Sequence, residues 1–173
     1  MDWRKCFPVR VVAVTGTNGK STTKEMTSAI TESKFRTLKT VGNLNNHIGL
    51  PLTLFNLDSF HEVAILEMGM SAAGEIRRLA EIAEPEVGII SNISEGHLMK
   101  LQTLKNVQAA KGELFEALSN EGTAIVNADD QDRWFDSMQT DHNQPDKLFL
   151  TLVQREGKEK DVGFARGTEW KAS

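Results

Sequence analysis

Residue types able to act on a phosphorylated ligand fall at four places in this chain: the stretch Thr15-Gly16-Thr17-Asn18-Gly19-Lys20-Ser21-Thr22, then Glu67, His97 and Lys111. In the first, Gly16 and Gly19 let the backbone turn tightly and bring its N–H groups to an anion, and the helix that follows adds partial positive charge. Lys20 is placed to reach the terminal phosphates of a nucleotide, and the Ser21 hydroxyl to ligate Mg²⁺. The general pattern GxxxxGK[ST] expects glycine where Val14 stands, so what remains is a shorter TGxxGK[ST]T version. An ordinary capped turn would account for the glycines and threonines. It would not account for a lysine directly after the second glycine.

The other three positions differ in how much they say alone. Glu67 ends an apolar run, where a carboxylate needs a partner, and Mg²⁺ beside a nucleotide would supply one. A structural hydrogen bond is the competing explanation. His97 lies in a polar loop, Ser94-Glu95-Gly96-His97, and a lone loop histidine is more often solvated than a ligand. Lys111 shares a helical face with Val107, Leu114 and Leu118. There its ammonium must be paired or neutralised, unless the stem snorkels to solvent. Desolvation favours the neutral amine, which can react with CO₂ to give a carbamate that behaves as a carboxylate.

The elements that must position these groups alternate. Residues 9–14 form a predicted strand and residues 20–33 a predicted helix with Met26, Ala29 and Ile30 as its inner face. Further strands are predicted over 35–40, 63–68, 87–93, 123–126 and 147–153. Helices are predicted over 51–57, 74–83 (halted by Pro85), 103–118 and 131–140. Strands apolar along their whole length between helices imply an α/β fold, a mostly parallel sheet flanked by helices, with ligands beyond the carboxyl ends of the strands. The glycine loop, Glu67, the His97 loop, and Asn127 with Asp129 all fall at that edge.

Composition bounds the alternatives. The chain has 173 residues, 39% of them apolar and 25% charged, enough for one domain core. A net charge of −4 gives no global field for nucleic acid or anionic membrane, so a phosphate site must be local. The single cysteine, Cys6, excludes an internal disulfide framework and favours a reducing, cytoplasmic setting. No apolar run approaches the roughly 18 residues of a membrane span. A core strand beginning within ten residues of the start leads us to expect a further domain upstream.

Taken together, TGTNGKSTTKEM, GNLNNHIGLPLTL, AILEMGMSAAGEI, the His97 loop, AAKGELFEAL and NADD resemble the Mur ligases, ATP-dependent enzymes that build the peptide of peptidoglycan during cell-wall synthesis. TTKEM, GNLNNHIG and AKGE resemble most the members that add D-alanyl-D-alanine to UDP-N-acetylmuramoyl-tripeptide. The resemblance covers residues 9–130 and thins beyond Asp132. Leu98-Met99-Lys100-Leu101-Gln102 depart from the Leu-Glu-Gly-Phe-Gly common after the histidine, and Ser71-Ala72 stand where many relatives carry Asn-His.

The resemblance implies roles by position. Lys20 would bind the β and γ phosphates of ATP, with Thr15 to Thr22 as the cradle. Ser21 and Glu67 would hold one Mg²⁺, and His97 with a carbamylated Lys111 a second. Asn45 and Asn46 would lie beside the γ-phosphate and the substrate carboxylate. It also implies a partial central ATP-binding domain over residues 1–173, incomplete at its C-terminal end, without the N-terminal UDP-sugar domain and the C-terminal domain of the family. Such a piece would bind ATP·Mg²⁺ and not ligate. A folylpolyglutamate or cyanophycin synthetase-like ligase, a P-loop NTPase and a non-catalytic ATP-binding module stay open as alternatives.

Overall fold

In the computed structural model, which describes residues 3–94, 103–127, 148–152 and 162–166, the apolar run ahead of the glycine loop is strand β1 (Arg10–Thr15). It is joined in one sheet by β2 (Thr37–Lys39), β3 (Val63–Glu67), β4 (Val87–Ile90), β5 (Thr123–Asn127), β6 (Leu148–Leu152) and β7 (Val162–Arg166). Their order across the sheet is β2-β3-β1-β4-β5-β6-β7. Pairings from β2 through β6 are parallel and β6–β7 is antiparallel. Strand β1 therefore lies between β3 and β4, with Val14 opposite Glu67 and Thr15 opposite Ile90. Chain direction puts the ends of all three strands at one edge.

The period of two along a strand divides the core into two layers. Val12, Val14, Val63, Ile65 and Ile89 form the smaller one, and Val11, Ala13, Ala64 and Leu66 belong to the larger. Helix α1 (Lys20–Glu32) lies over β1, β2 and β3. The larger layer is covered by α2 (Gly49–Leu54), α3 (Glu75–Ala83) and α4 (Leu104–Glu116), of which α3 and α4 pack on each other. Continuing the alternation of Val63 and Ile65, Glu67 turns toward the α1 side. Full burial of each Leu or Ile contributes about 1.5–3 kcal/mol, so Leu50, Ile76, Leu79 and Leu114 anchor this second layer.

The inner face expected for α1 is corrected by the structure. Met26 and Ile30 are 63% and 71% exposed and Ala29 is exposed too, whereas Lys24 and Ser28 are buried. The cause lies at the helix start. Gly19 precedes it in the left-handed region at φ 79°, and the loop fixes the rotational phase so that Lys20 faces the phosphate site. Positions 24 and 28, one and two turns later, then meet the sheet whatever their side chains.

Other differences are of extent. Helix α2 begins two residues before Pro51, β4 stops at Ile90 rather than 93, and β2 is confined to three residues at the sheet edge. Strand β7 was not expected. The predicted helix over 131–140 lies outside the described residues. Ahead of β1, a short 3-10 helix (Trp3–Cys6) is tied down by Arg4, which donates to the carbonyls of Ala83, Phe7 and Val9 at 3.0–3.1 Å.

Candidate nucleotide and metal site

The glycine loop is held from below by the residues that leave β4. Ser91 Oγ is 2.6 Å from the Asn18 carbonyl and 3.2 Å from that of Thr15, and the Asn18 N–H donates to Asn92 Oδ1 at 2.8 Å. Thr17 N–H donates to the Asn92 carbonyl at 3.0 Å, and Ser94 N–H to Thr17 Oγ1 at 3.1 Å. Gly16, at φ 149°, approaches so closely that a Cβ there would clash with Ser91 Oγ and press on the Asn92 N–H. Backbone conformation and close packing both require glycine at this point. Lys20 Nζ donates to the carbonyls of Gly16 and Thr17, each at 3.1 Å, which keeps the ammonium at the mouth of its own loop. Ser21 and Thr22 open α1 and are exposed.

Glu67 is buried beside this loop. Its N–H donates to Thr40 Oγ1 at 3.0 Å and its Oε1 accepts from Asn45 Nδ2 at 2.8 Å. Asn45 is fixed in turn by Gly69, whose N–H donates to its carbonyl at 2.7 Å and whose missing Cβ leaves room for its amide. Oε2 is buried with no hydrogen-bond partner. A buried carboxylate oxygen in that state still has its acceptor capacity unfilled, with the nearest cation, Lys24 Nζ, 3.9 Å away. A divalent ion arriving with a nucleotide suits it, and a hard oxygen is the donor that Mg²⁺ takes. Among the described residues no group of three His, Cys, Asp or Glu could hold a metal, so Glu67 would share one with hydroxyl and phosphate oxygens. Asn46 serves a local purpose: its Oδ1 accepts from the N–H groups of Ile48 and Gly49 at the start of α2.

Lys111 is 1% exposed on the face of α4 that carries Val107, Ala110, Leu114 and, beyond the helix, Leu118. The helix is started by Thr103, whose hydroxyl accepts from Asn106 N–H at 3.2 Å. It is locked to α3 by Glu113, whose carboxylate accepts from Gly74 N–H at 2.6 Å and Arg77 N–H at 3.0 Å. Burial pulls the Lys111 ammonium from its ordinary 10.5 down to about 8, and the positive charge of Lys20 pushes the same way. The two lysines therefore belong to one electrostatic neighbourhood. His97 and Asp129 lie outside the described residues.

The sequence singled out neither Ser91, Asn92 and Ser94 as supports of the loop nor Lys24 and Thr40 beside Glu67. Lys24 carries one usable signal, since it stands four residues after Lys20 and must share its face. A cleft of about 520 Å³ at the opposite end of β4 and β5 is lined by Glu81, Glu84, Glu86 and Glu116 against a single cation, Arg77, which is paired with Glu116. Its charge suits no phosphate.

A phosphate loop at the end of a central parallel strand, with an acidic residue ending the neighbouring strand, defines a nucleotide-binding α/β domain. Residues 14–160 match the Mur ligase middle domain, and the chain belongs to that family. It is 46% identical over 121 residues to the UDP-N-acetylmuramoyl-tripeptide–D-alanyl-D-alanine ligase of Bacillus subtilis, covering 70% of this chain and 26% of that protein. To the enzyme of the same name from Escherichia coli it is 43% identical over 129 residues, covering 75% and 28%. Among solved structures, MurF from Thermotoga maritima in complex with ADP superposes with a TM-score of 0.76 at 29% identity, over 94% of this chain and 40% of that one. MurF from Acinetobacter baumannii gives 0.75 at 29%, over 98% and 40%. The chain spans about a quarter of the length of these curated relatives. Its matched part corresponds to the middle domain of a Mur ligase.

Proposed function

We propose that the chain supplies the ATP site of a ligase that joins D-alanyl-D-alanine to UDP-N-acetylmuramoyl-tripeptide, in an enzyme where this part is combined with the remaining length its relatives have. The observation that carries this reading is the buried Oε2 of Glu67 beside the phosphate loop, which no hydrogen bond occupies. ATP and a UDP-linked precursor place such a reaction in the cytoplasm. Among the described residues no helix is long and apolar enough to cross a membrane.

The chemistry is a two-step amide ligation. The peptide carboxylate attacks the γ-phosphorus and ADP leaves, giving an acyl phosphate. The amine of D-alanyl-D-alanine then attacks the acyl carbon, phosphate departs and the nitrogen loses a proton. Lys20 would move from its loop carbonyls to the phosphates, the N–H groups of residues 16–20 would cradle them, and Ser21 with Glu67 would hold the ion that accompanies ATP. Asn45 steadies Glu67 and, with Asn46, lies toward the γ-phosphate and the substrate carboxylate. Bound Mg²⁺ relieves the repulsion between carboxylate and triphosphate. With about 8 as its pKa, Lys111 offers a neutral amine fraction near pH 7.5. That fraction can take up CO₂, and the resulting carbamate with His97 would hold a second ion.

Titration calorimetry of the chain with ADP and Mg²⁺ tests the nucleotide site: binding is expected, with loss in Lys20→Ala. Absence of binding overturns the reading. Ligation is expected only in an enzyme joined to the rest of such a protein, and only with ATP, precursor and dipeptide all present. Phosphate release at ligase rates by the 173-residue chain itself would overturn that part.

A further inference from the structure

Lys24 has no task in the reaction above. It follows Lys20 by one helical turn on the same face of α1, and its side chain is 3% exposed. Its Nζ donates to the Thr40 carbonyl at 2.9 Å, lies 2.9 Å from Glu25 Oε1 and lies 3.9 Å from Glu67 Oε2. A buried ammonium costs several kcal/mol unless it is paired. If α1 needed only to pack on the sheet, an apolar residue would serve better at position 24. The helix has such residues in Met26 and Ile30, and they face solvent.

The two oxygens of Glu67 are treated differently. Oε1 is hydrogen-bonded by Asn45, while Oε2 has no hydrogen bond although Lys24 is its neighbour. At 3.9 Å the ammonium is too far to donate and near enough to compensate charge. It is held at that distance from its other sides, by the Thr40 carbonyl and by Glu25, which Lys39 also binds at 3.0 Å. Thr40 joins the two groups a second time, because its hydroxyl accepts the Glu67 N–H.

We propose that Lys24 is a positioning residue for Glu67: a fixed internal cation that keeps the carboxylate turned with Oε1 on Asn45 and Oε2 open to the metal accompanying the nucleotide. The inference rests on the reading of Glu67 as a metal ligand. A lysine hydrogen-bonded to Oε2 would occupy the ligand position. No lysine at all would leave a buried carboxylate without compensation until the metal arrived.

The test is calorimetry of ADP binding to the full chain, in Mg²⁺ and in EDTA, for the unsubstituted protein, Lys24→Met, Lys24→Arg and Glu67→Gln. Methionine keeps the stem and removes the charge. The ratio of Mg²⁺ to EDTA affinity is expected to fall about tenfold or more in Lys24→Met, with EDTA affinity changed by less than about twofold and partial recovery in Lys24→Arg. A folded Lys24→Met with an unchanged ratio, beside a Glu67→Gln that has lost it, overturns the role given to Lys24 alone. A Glu67→Gln with an unchanged ratio overturns the reading of Glu67 on which it rests. If Lys24→Met does not fold, thermal denaturation of Lys24→Met/Glu67→Gln decides. Cooperative unfolding of the double variant supports the pairing, and an unfolded double variant overturns it, because the lysine would then serve packing whatever stands at position 67.

Discussion

Helices α1 and α4 are both thirteen residues long, cover opposite faces of the same sheet and each bury one lysine next to the phosphate loop. Their burial has different origins. In α4 the lysine interrupts an apolar stripe, and its neighbours Val107, Ala110 and Leu114 hold the helix in place. In α1 the stripe is absent from the inner face, and the helix is held by its first turn and by polar contacts of Lys24 to Thr40, Glu25 and Glu67. The outcomes differ accordingly. Lys24 has partners that compensate its charge, while Lys111 is desolvated beside a second cation and loses proton affinity. A buried lysine is thus charge-compensated in one helix and gives up its proton more readily in the other, and the surroundings alone separate the two.

The contrast can be broken from several sides. Truncating Leu114→Ala should cost about 2–5 kcal/mol in urea denaturation, because α4 depends on its apolar stripe. A smaller loss than about 1 kcal/mol would mean that polar contacts hold α4 as they hold α1. Next in size is Lys111→Met. The folded chain binds this proton less tightly than the unfolded chain, so burial costs stability in full below pH 8, and the cost fades as pH rises from about 8 to 10.5. The variant should therefore be more stable by up to about 3 kcal/mol at pH 7, with the gain shrinking toward pH 10 in denaturation curves taken across that range. A gain independent of pH would show that volume rather than charge is at issue. Removing the cap of α4 with Thr103→Ala should cost about 1 kcal/mol by the same measurement. The smallest effect is expected for Ile30→Gln on the outer face of α1, within about 0.5 kcal/mol, although the same change on an inward apolar position would be severe.

Much of the sheet was legible because its strands are continuous apolar runs bounded by turn residues, and Glu67 stood out by ending one of them. The burial of Lys111 followed from helical spacing alone. The face of α1 did not, since spacing assumes that apolar residues choose the inner side, and here a glycine in the left-handed region chose first. The supports of the loop were hidden for another reason. Ser91, Asn92 and Ser94 are more than seventy residues from their partners, and a short polar segment after a strand gives no sign of what it will bind. Asn45 illustrates a middle case: only the family resemblance placed it near the site, since an Asn-rich loop by itself reads as a turn, and the structure adds that it reaches Glu67 directly.

The contact between Gly16 and Ser91 carries a consequence for how this family can vary. Because a Cβ at position 16 would occupy the space of the Ser91 hydroxyl, the two sites form a single packing unit rather than independent letters. A chain that acquired alanine at 16 would need glycine or alanine at 91, and would still bear the strain of φ 149°. Reversion at 16 should therefore be easier than compensation at 91. Across related sequences, glycine at 16 should hold steady while 91 drifts among small residues.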